Sequence, residues 1–230
     1  MRPGFSPRAI LLDFYGTVVQ DDEVIVDRIC SQVAAGSPLW VTAAEVLSYW
    51  GGLWRQLCSE SFGASFRSQK KVERLSLQRV LERFQADLDG HALCQMAYAY
   101  WAQPTIFPES KKVLAACRLP VCLVSNIDNG ELYSALEYHD LHFDWIVTSQ
   151  DCRAYKPRAD MFEKALALLD LPADQVLHVG DSYGSDVRGA RSVGIPVLWV
   201  NRKKRSLPLG GEAPDYVSED LTGLLSIILG

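Results

Sequence analysis

The chain has 230 residues, 48% apolar and 22% charged, with a formal net charge of -5. That length suits a single α/β unit carrying an insertion, and the mild acidity excludes the basic footprint of a nucleic-acid binder. No apolar stretch reaches the roughly 20 residues of a membrane-spanning helix.

The opening Met1-Arg2-Pro3-Gly4 lacks an apolar segment of signal type before the first strand. The six cysteines are scattered, without a Cys-x-x-Cys pair or a cysteine–histidine cluster of zinc spacing. A reducing cytoplasm is the expected compartment, with Cys117 and Cys122, the closest pair, packing as small apolar side chains.

In chain order, Ile10-Leu11-Leu12 reads as a short buried strand that stops at Asp13 and turns through Tyr15-Gly16-Thr17. Residues 21–104 then show no clear strand. Helical stretches are predicted over Glu23–Ala34, Ala43–Leu57, Lys70–Leu88 and His91–Ala102, the last stopping before Pro104. From there strand-like and helix-like patterns alternate. Val121–Asn126, Trp145–Ser149, Val176–Asp181 and Val197–Asn201 are the predicted strands; Glu131–Tyr138, Ala159–Leu169 and Asp186–Val193 are the intervening helices. Gly194 is placed to cap the last of these before Pro196. Arg202-Lys203-Lys204-Arg205 reads as a solvated loop, and Leu221–Leu229 as a terminal helix closing the sheet's edge.

Strands alternating with helices predict a Rossmann-like parallel sheet covered by helices on both faces. Right-handed crossovers place all strand carboxyl ends on one rim, where open α/β sheets bind their ligands. Asp13, Ser125 and Asp181 each end an apolar run and converge there. The expected organisation is a core of residues 1–20 and 105–230 with an all-helical cap, 21–104, inserted over the rim.

Four elements line up in order: Asp13-x-Tyr15-Gly16-Thr17, Ser125-Asn126, Lys156-Pro157, and Gly180-Asp181-Ser182-x-x-x-Asp186. An aspartate nucleophile attacking an electrophilic centre needs positive charge close by, and Lys156 is the candidate. Pro157 biases Lys156 away from helical geometry. Ser125 ends a strand where its hydroxyl and nearby N–H groups would hold an oxyanion. Asp181 and Asp186 suggest a hard cation such as magnesium. On spacing alone, Asp186 reads equally as a helix N-cap.

This set resembles the haloacid dehalogenase superfamily of hydrolases, over most of the chain. The resemblance implies catalysis through Asp13, with Thr17 orienting it. It implies Mg2+ held by Asp13, the Tyr15 backbone carbonyl and Asp181, with Asp186 direct or behind them. A small phosphorylated metabolite is the implied substrate. Phosphatases of this superfamily carry a second aspartate two residues after the nucleophile, where this chain has Tyr15. A phenol of ordinary pKa near 10 is a poor general base at neutral pH, and loss of an acid–base group typically costs on the order of 10²–10⁴ in rate.

The Asp-x-Tyr-Gly-Thr form is similar to that of the 2-haloacid dehalogenases, whose halide leaves without a proton. In that comparison Arg55, in Leu53-Trp54-Arg55-Gln56, matches their substrate-binding arginine, and Asn126 their halide-side asparagine. Those enzymes work without metal, carry Ser-Ser-Asn where this chain has Gly180-Asp181-Ser182, and have a tyrosine where it has Phe162. Buried beside Asp13 with no cation, Asp181 would be a costly like charge. The expectation is therefore a magnesium-dependent phosphatase. The alternatives are a metal-independent 2-haloacid dehalogenase, or a ligand-binding homologue that has lost turnover. Substrate choice would lie with cap residues such as Trp40, Trp50, Trp54 and Trp101, although indoles more often build a helical core than a pocket.

Overall fold

The computed structural model describes residues 5–229; Met1–Gly4, read above, and Gly230 lie outside the described residues. β1 (Ala9–Leu12) is followed by four helices, α1 (Glu23–Gly36), α2 (Ala43–Ser59), α3 (Gln69–Phe84) and α4 (Gly90–Ala102). The chain then runs α5 (Ser110–Ala116), β2 (Val121–Ser125), α6 (Asn129–His139), β3 (Trp145–Thr148), the short α7 (Ser149–Cys152), α8 (Ala159–Leu169) and β4 (Val176–Gly180). One π-helical turn, Tyr183–Val187, leads into α9 (Arg188–Ser192); β5 (Val197–Val200), β6 (Tyr216–Ser218) and α10 (Gly223–Ile228) finish the fold.

The sheet order is β3-β2-β1-β4-β5-β6, and all five pairings are parallel. Side chains alternate across a strand, so β1 feeds two cores. Ile10 and Leu12 pack with Leu132 of α6, Val113 of α5 and Leu224 of α10 on one face. Ala9 and Leu11 pack with Met161 and Phe162 of α8 and Ala190 of α9 on the other. Covered on both faces, these strands carry the continuous apolar runs by which they were predicted.

α1–α4 share their own core of Ile29, Val46, Trp50, Leu77, Val80 and Leu93. Their starts follow local chemistry. Thr42 and Glu45 form a reciprocal capping box, and Asp89 accepts from the first amides of α4. Gln85, at φ 51°, caps α3 in the left-handed region, so the helix stops at Phe84, four residues short of the predicted Leu88. Gly194, at φ 81°, follows α9, and the Ile195 amide donates back to the Ala190 carbonyl at 3.0 Å, the Schellman pattern expected of it.

Three expectations need correction. The sheet's edge is β6, and α10 packs against α5. Trp40 is fully exposed between α1 and α2, while Trp50 and Trp101 are buried. Arg202 is also no solvated residue. Its guanidinium donates to the Thr17 carbonyl at 2.8 Å, pairs with Glu109 at 2.7 Å and stacks on Phe107.

Asp128 fastens the helical segment to the sheet. Its buried carboxylate accepts from the Gln69 and Lys70 amides, at 2.8 and 3.0 Å, and so caps α3 from across the fold. Lost caps typically cost about 0.5–2 kcal/mol. Asp128→Ala is expected at the upper end, because two buried amides lose their partner, and Asp128→Asn at the lower. Denaturant unfolding of both variants checks the ranking.

Candidate active site

Asp13 directly follows β1, Ser125 ends β2 and Asp181 directly follows β4, so neighbouring parallel strands deliver all three to one rim. Lys156 arrives from the loop between α7 and α8, 143 residues from Asp13 in sequence. Its Nζ donates to Asp13 Oδ1, Asp186 Oδ1 and the Val124 carbonyl, each at 2.7 Å. The other Asp13 oxygen accepts from the Thr17 hydroxyl at 3.0 Å. Both carboxylate oxygens are thus oriented.

Burial would by itself lower the Lys156 pKa, but Asp13 and Asp186 outweigh it and raise the value, so the ammonium persists at neutral pH. For Asp13, burial raises the pKa, Lys156 opposes this and Asp186 adds to it; the net direction is upward. For Asp181 burial is again the main cause, reinforced by Asp13 and then Asp186, and its pKa stands well above the ordinary carboxylate value.

Asp186 lies inside the π-helical turn, so it is not the N-cap; Ser182 is. Its Oδ2 accepts from the Ser182 amide at 2.9 Å, and its Oδ1 also takes His178 Nε2 at 3.0 Å. Burial alone would raise its pKa, yet Lys156 and His178 hold it well below the usual carboxylate range. His178 was not singled out in the sequence, where it reads as a polar interruption of an apolar strand. Two glycines make room for these carboxylates. A Cβ on Gly16, at φ 87°, would stand 2.4 Å from Asp181 Oδ1, and one on Gly180 would stand 2.3 Å from Asp186 Cγ.

Two predicted side chains are engaged elsewhere. The Tyr15 hydroxyl donates to the Trp101 carbonyl of α4 at 2.5 Å, and burial followed by Glu131 and Asp22 raises its pKa. The phenol fastens β1's loop to the helical segment and is not an acid aimed at Asp13. Asn126 is paired in both directions with the Lys156 backbone: its Oδ1 accepts from Lys156 N at 2.7 Å and its amide donates to Lys156 O at 3.2 Å. It sets the lysine loop as well as lining the space above it.

That space is a cavity of about 680 Å³ between the rim and α1–α4. Asn126, Lys156 and Ser182 line it from the sheet side; Arg55, Trp54 and Glu73 line it from the helices. Arg55 is exposed and lines the cavity from α2. Glu73 and its helical neighbour Gln69 were missed, because a charged residue in a charged helix gives no signal of burial. Burial, then the nearby Asp22, pushes the Glu73 carboxyl up to about 8.

The donor set at the rim fits a hard cation. Oxygens of Asp13, Asp181 and Asp186 lie within 4.8 Å of one another, and the Lys156 ammonium pairs with two of the three, Asp13 and Asp186. Asp186 already accepts three hydrogen bonds, from Lys156, His178 and Ser182, whereas each Asp13 oxygen accepts one, from Lys156 or Thr17, so Asp13 and Asp181 keep more lone-pair capacity for a cation. Oxygen ligands from one or two carboxylates are what Mg2+ takes from proteins.

Residues 7–194 match the family of haloacid dehalogenase-like hydrolases. The chain belongs to that family. It is 36% identical over 124 residues to haloacid dehalogenase-like hydrolase domain-containing protein 3 of Danio rerio, across 52% of this chain and 51% of that one, so it spans about half the length of that relative. It is 25% identical over 221 residues to (S)-2-haloacid dehalogenase H-109 of Pseudomonas putida, across 92% and 93% of the two chains. Its fold matches that of L-2-haloacid dehalogenase RSc1362 with a TM-score of 0.81, at 23% identity, over 98% of this chain and 100% of that one. The relatives include phosphatases as well as 2-haloacid dehalogenases. Among the described residues no helix is long and apolar enough to cross a membrane.

Two outcomes follow from the electrostatics. Removing one partner of a buried ion pair costs about 3–5 kcal/mol. Lys156→Ala is expected to lose at least that, because it strands both Asp13 and Asp186, and chemical denaturation measures it. Glu73 is protonated in the folded chain up to about pH 8 but ionises near the ordinary glutamate value of 4.5 when unfolded. Between those values the folded state holds the extra proton, so this contribution to stability falls as pH rises through the window and levels off above it. Unfolding at pH 5.5 and 8.5 should show a decrease that Glu73→Gln removes.

Proposed function

We infer that the chain is a magnesium-dependent phosphatase that works through Asp13 on a small phosphorylated metabolite. The observation that carries this reading is Asp181, a carboxyl packed beside Asp13 that forms no salt bridge among the described residues and on which Arg205 is outweighed by burial, Asp13 and Asp186. Like charges this close are costly unless a cation lies between them. On this reading residues 21–104 are a cap over a core of 1–20 and 105–230. Asp13, the Tyr15 carbonyl and Asp181 hold Mg2+, and Asp186 supports from behind Lys156. The metal, when bound, supplies positive charge at the phosphoryl oxygens.

The chain's own residues do the rest. Asp13, oriented by Thr17 and Lys156, presents one oxygen to phosphorus. The P–O bond to the leaving alcohol breaks as the Asp13 O–P bond forms, which gives an aspartyl phosphate. Lys156 stays charged and offsets the anionic charge that builds beside it, and Ser125 offers a hydroxyl at the same rim. Asp186 and His178 position Lys156 without touching substrate. The alkoxide takes its proton from water, and the hydroxide left behind hydrolyses the aspartyl phosphate, which releases phosphate and restores the carboxylate. Tyr15, committed to the Trp101 carbonyl, supplies no proton, so leaving groups that depart readily are favoured.

A second reading, halide displacement by Asp13 from a 2-haloacid, is supported by Tyr15 at the position of the missing aspartate and by the likeness to 2-haloacid dehalogenases along nearly the whole chain. The third, binding without turnover, is favoured by no observation. One panel separates them: p-nitrophenyl phosphate and 2-chloropropionate, each with Mg2+ and with a chelator. Phosphate release that needs Mg2+ and falls at least 10³-fold in Asp13→Asn is expected. Chloride release unaffected by chelator would overturn the phosphatase reading in favour of the dehalogenase.

A further inference from the structure

Glu73 stands apart from the rim chemistry. It is 4% exposed and projects from α3 into the cavity wall. Among the described residues its carboxyl has no hydrogen-bond or ion-pair partner, although Arg55, Arg158 and Arg188 line the same cavity. One helical turn earlier, Gln69 is 7% exposed, and its Oε1 is buried without a partner. Asp22, whose Oδ2 accepts from Trp101 Nε1 at 2.7 Å, lines the same space. Buried polar groups normally find partners, because leaving one unpaired costs about 1–3 kcal/mol. Unpaired acceptors that share a cavity are a site awaiting a donor.

The charge and the walls narrow that donor. Both carboxyls are shifted upward mainly by burial, and Asp22 adds to the shift of Glu73 as a like charge. Trp50, Trp54 and Trp101 present indoles to the same cavity, and indole faces attract organic cations. On the α3 side, a carboxyl that ionises at about pH 8 or when a cation arrives, a free amide oxygen and the indoles together suit an ammonium group.

The geometry points to Glu73, with Gln69 and Asp22, as the recognition site for an ammonium group on the leaving alcohol, so that the substrate is the phosphate monoester of an amino alcohol. The phosphate end of this statement rests on the phosphatase reading. The ammonium end rests on the helical wall alone. The chemistry also fits the absent acid at Tyr15, because an ammonium group near the ester oxygen withdraws electron density and eases departure of the alkoxide. Hydrolysis consumes one water and yields the amino alcohol and inorganic phosphate.

Calorimetric titration of the Asp13→Asn protein in magnesium buffer at pH 8.5, above the Glu73 value of about 8, tests this with two pairs of equal shape: phosphocholine against 3,3-dimethylbutyl phosphate, and phosphoethanolamine against propyl phosphate. At least one ammonium ligand is expected to bind tenfold or more tightly than its neutral counterpart. That preference should shrink to within twofold when Glu73→Gln is added. Glu73→Met, of similar volume, serves as the second variant if the first does not fold. Equal affinities in both pairs, no binding by any of the four, or a preference that survives loss of the carboxyl would overturn the inference. Turnover of p-nitrophenyl phosphate by the wild type is scored separately. Its failure sinks the phosphatase reading, while the binding comparison still decides the ammonium site.

Discussion

The arrangement at the rim depends on one buried ammonium. Lys156 Nζ reaches Asp13, Asp186 and the Val124 carbonyl at the same 2.7 Å, so a single point charge joins the end of β1, the end of β2 and the turn after β4. Three acceptors on three different elements take up all three ammonium protons, and among the described residues neither carboxylate pairs with a second lysine. The cost of desolvating the charge is met only because every acceptor is in place at once. Asn126 secures that condition by holding the Lys156 backbone from both sides. Packing of the sheet and chemistry at its rim are thus one problem, solved once.

The balance of charge is incomplete, and the incompleteness separates the functional readings. Asp13, Asp181 and Asp186 bring three carboxyls to one ammonium. A bound divalent cation lets all three ionise. Without a cation, burial and the neighbouring Asp13 and Asp186 push the Asp181 pKa upward. The phosphatase and dehalogenase readings therefore differ in the charge state of one side chain more than in the placement of any residue. That is why likeness along the whole chain to 2-haloacid dehalogenases does not by itself decide between them.

Legibility from sequence followed the physics of each element. The strands β1 to β5 were readable because burial on both faces demands unbroken apolar runs. β6 was not: Tyr216-Val217-Ser218 is a three-residue edge strand whose outer side needs no apolar cover. Asp13, Lys156 and Asp181 were legible because strand ends and their loops converge by topology. His178 was not, since its ring is enclosed against Phe162 and its role lies in a partner eight residues away. Asp128 and Glu73 escaped for a different reason. Each sits among other polar residues, and only the docking of α3 onto the sheet turns an ordinary surface acid into a buried one.

Tyr15 shows how one substitution at the rim reaches the helical segment. Where a carboxyl would face the leaving group, the phenol instead spans to the Trp101 carbonyl, and the same tryptophan donates its indole N–H to Asp22 at the start of α1. Tyr15, Trp101 and Asp22 form a chain from the nucleophile's loop into the cavity wall that also carries Glu73. On the phosphatase reading, the position that would have assisted the leaving group is spent on fixing the wall that selects it. Selection then has to do part of the work of catalysis. If the Glu73 wall prefers leaving groups that carry positive charge, as proposed above, it prefers those that need least help to depart, and the missing acid and the unpaired carboxyl become two sides of one constraint.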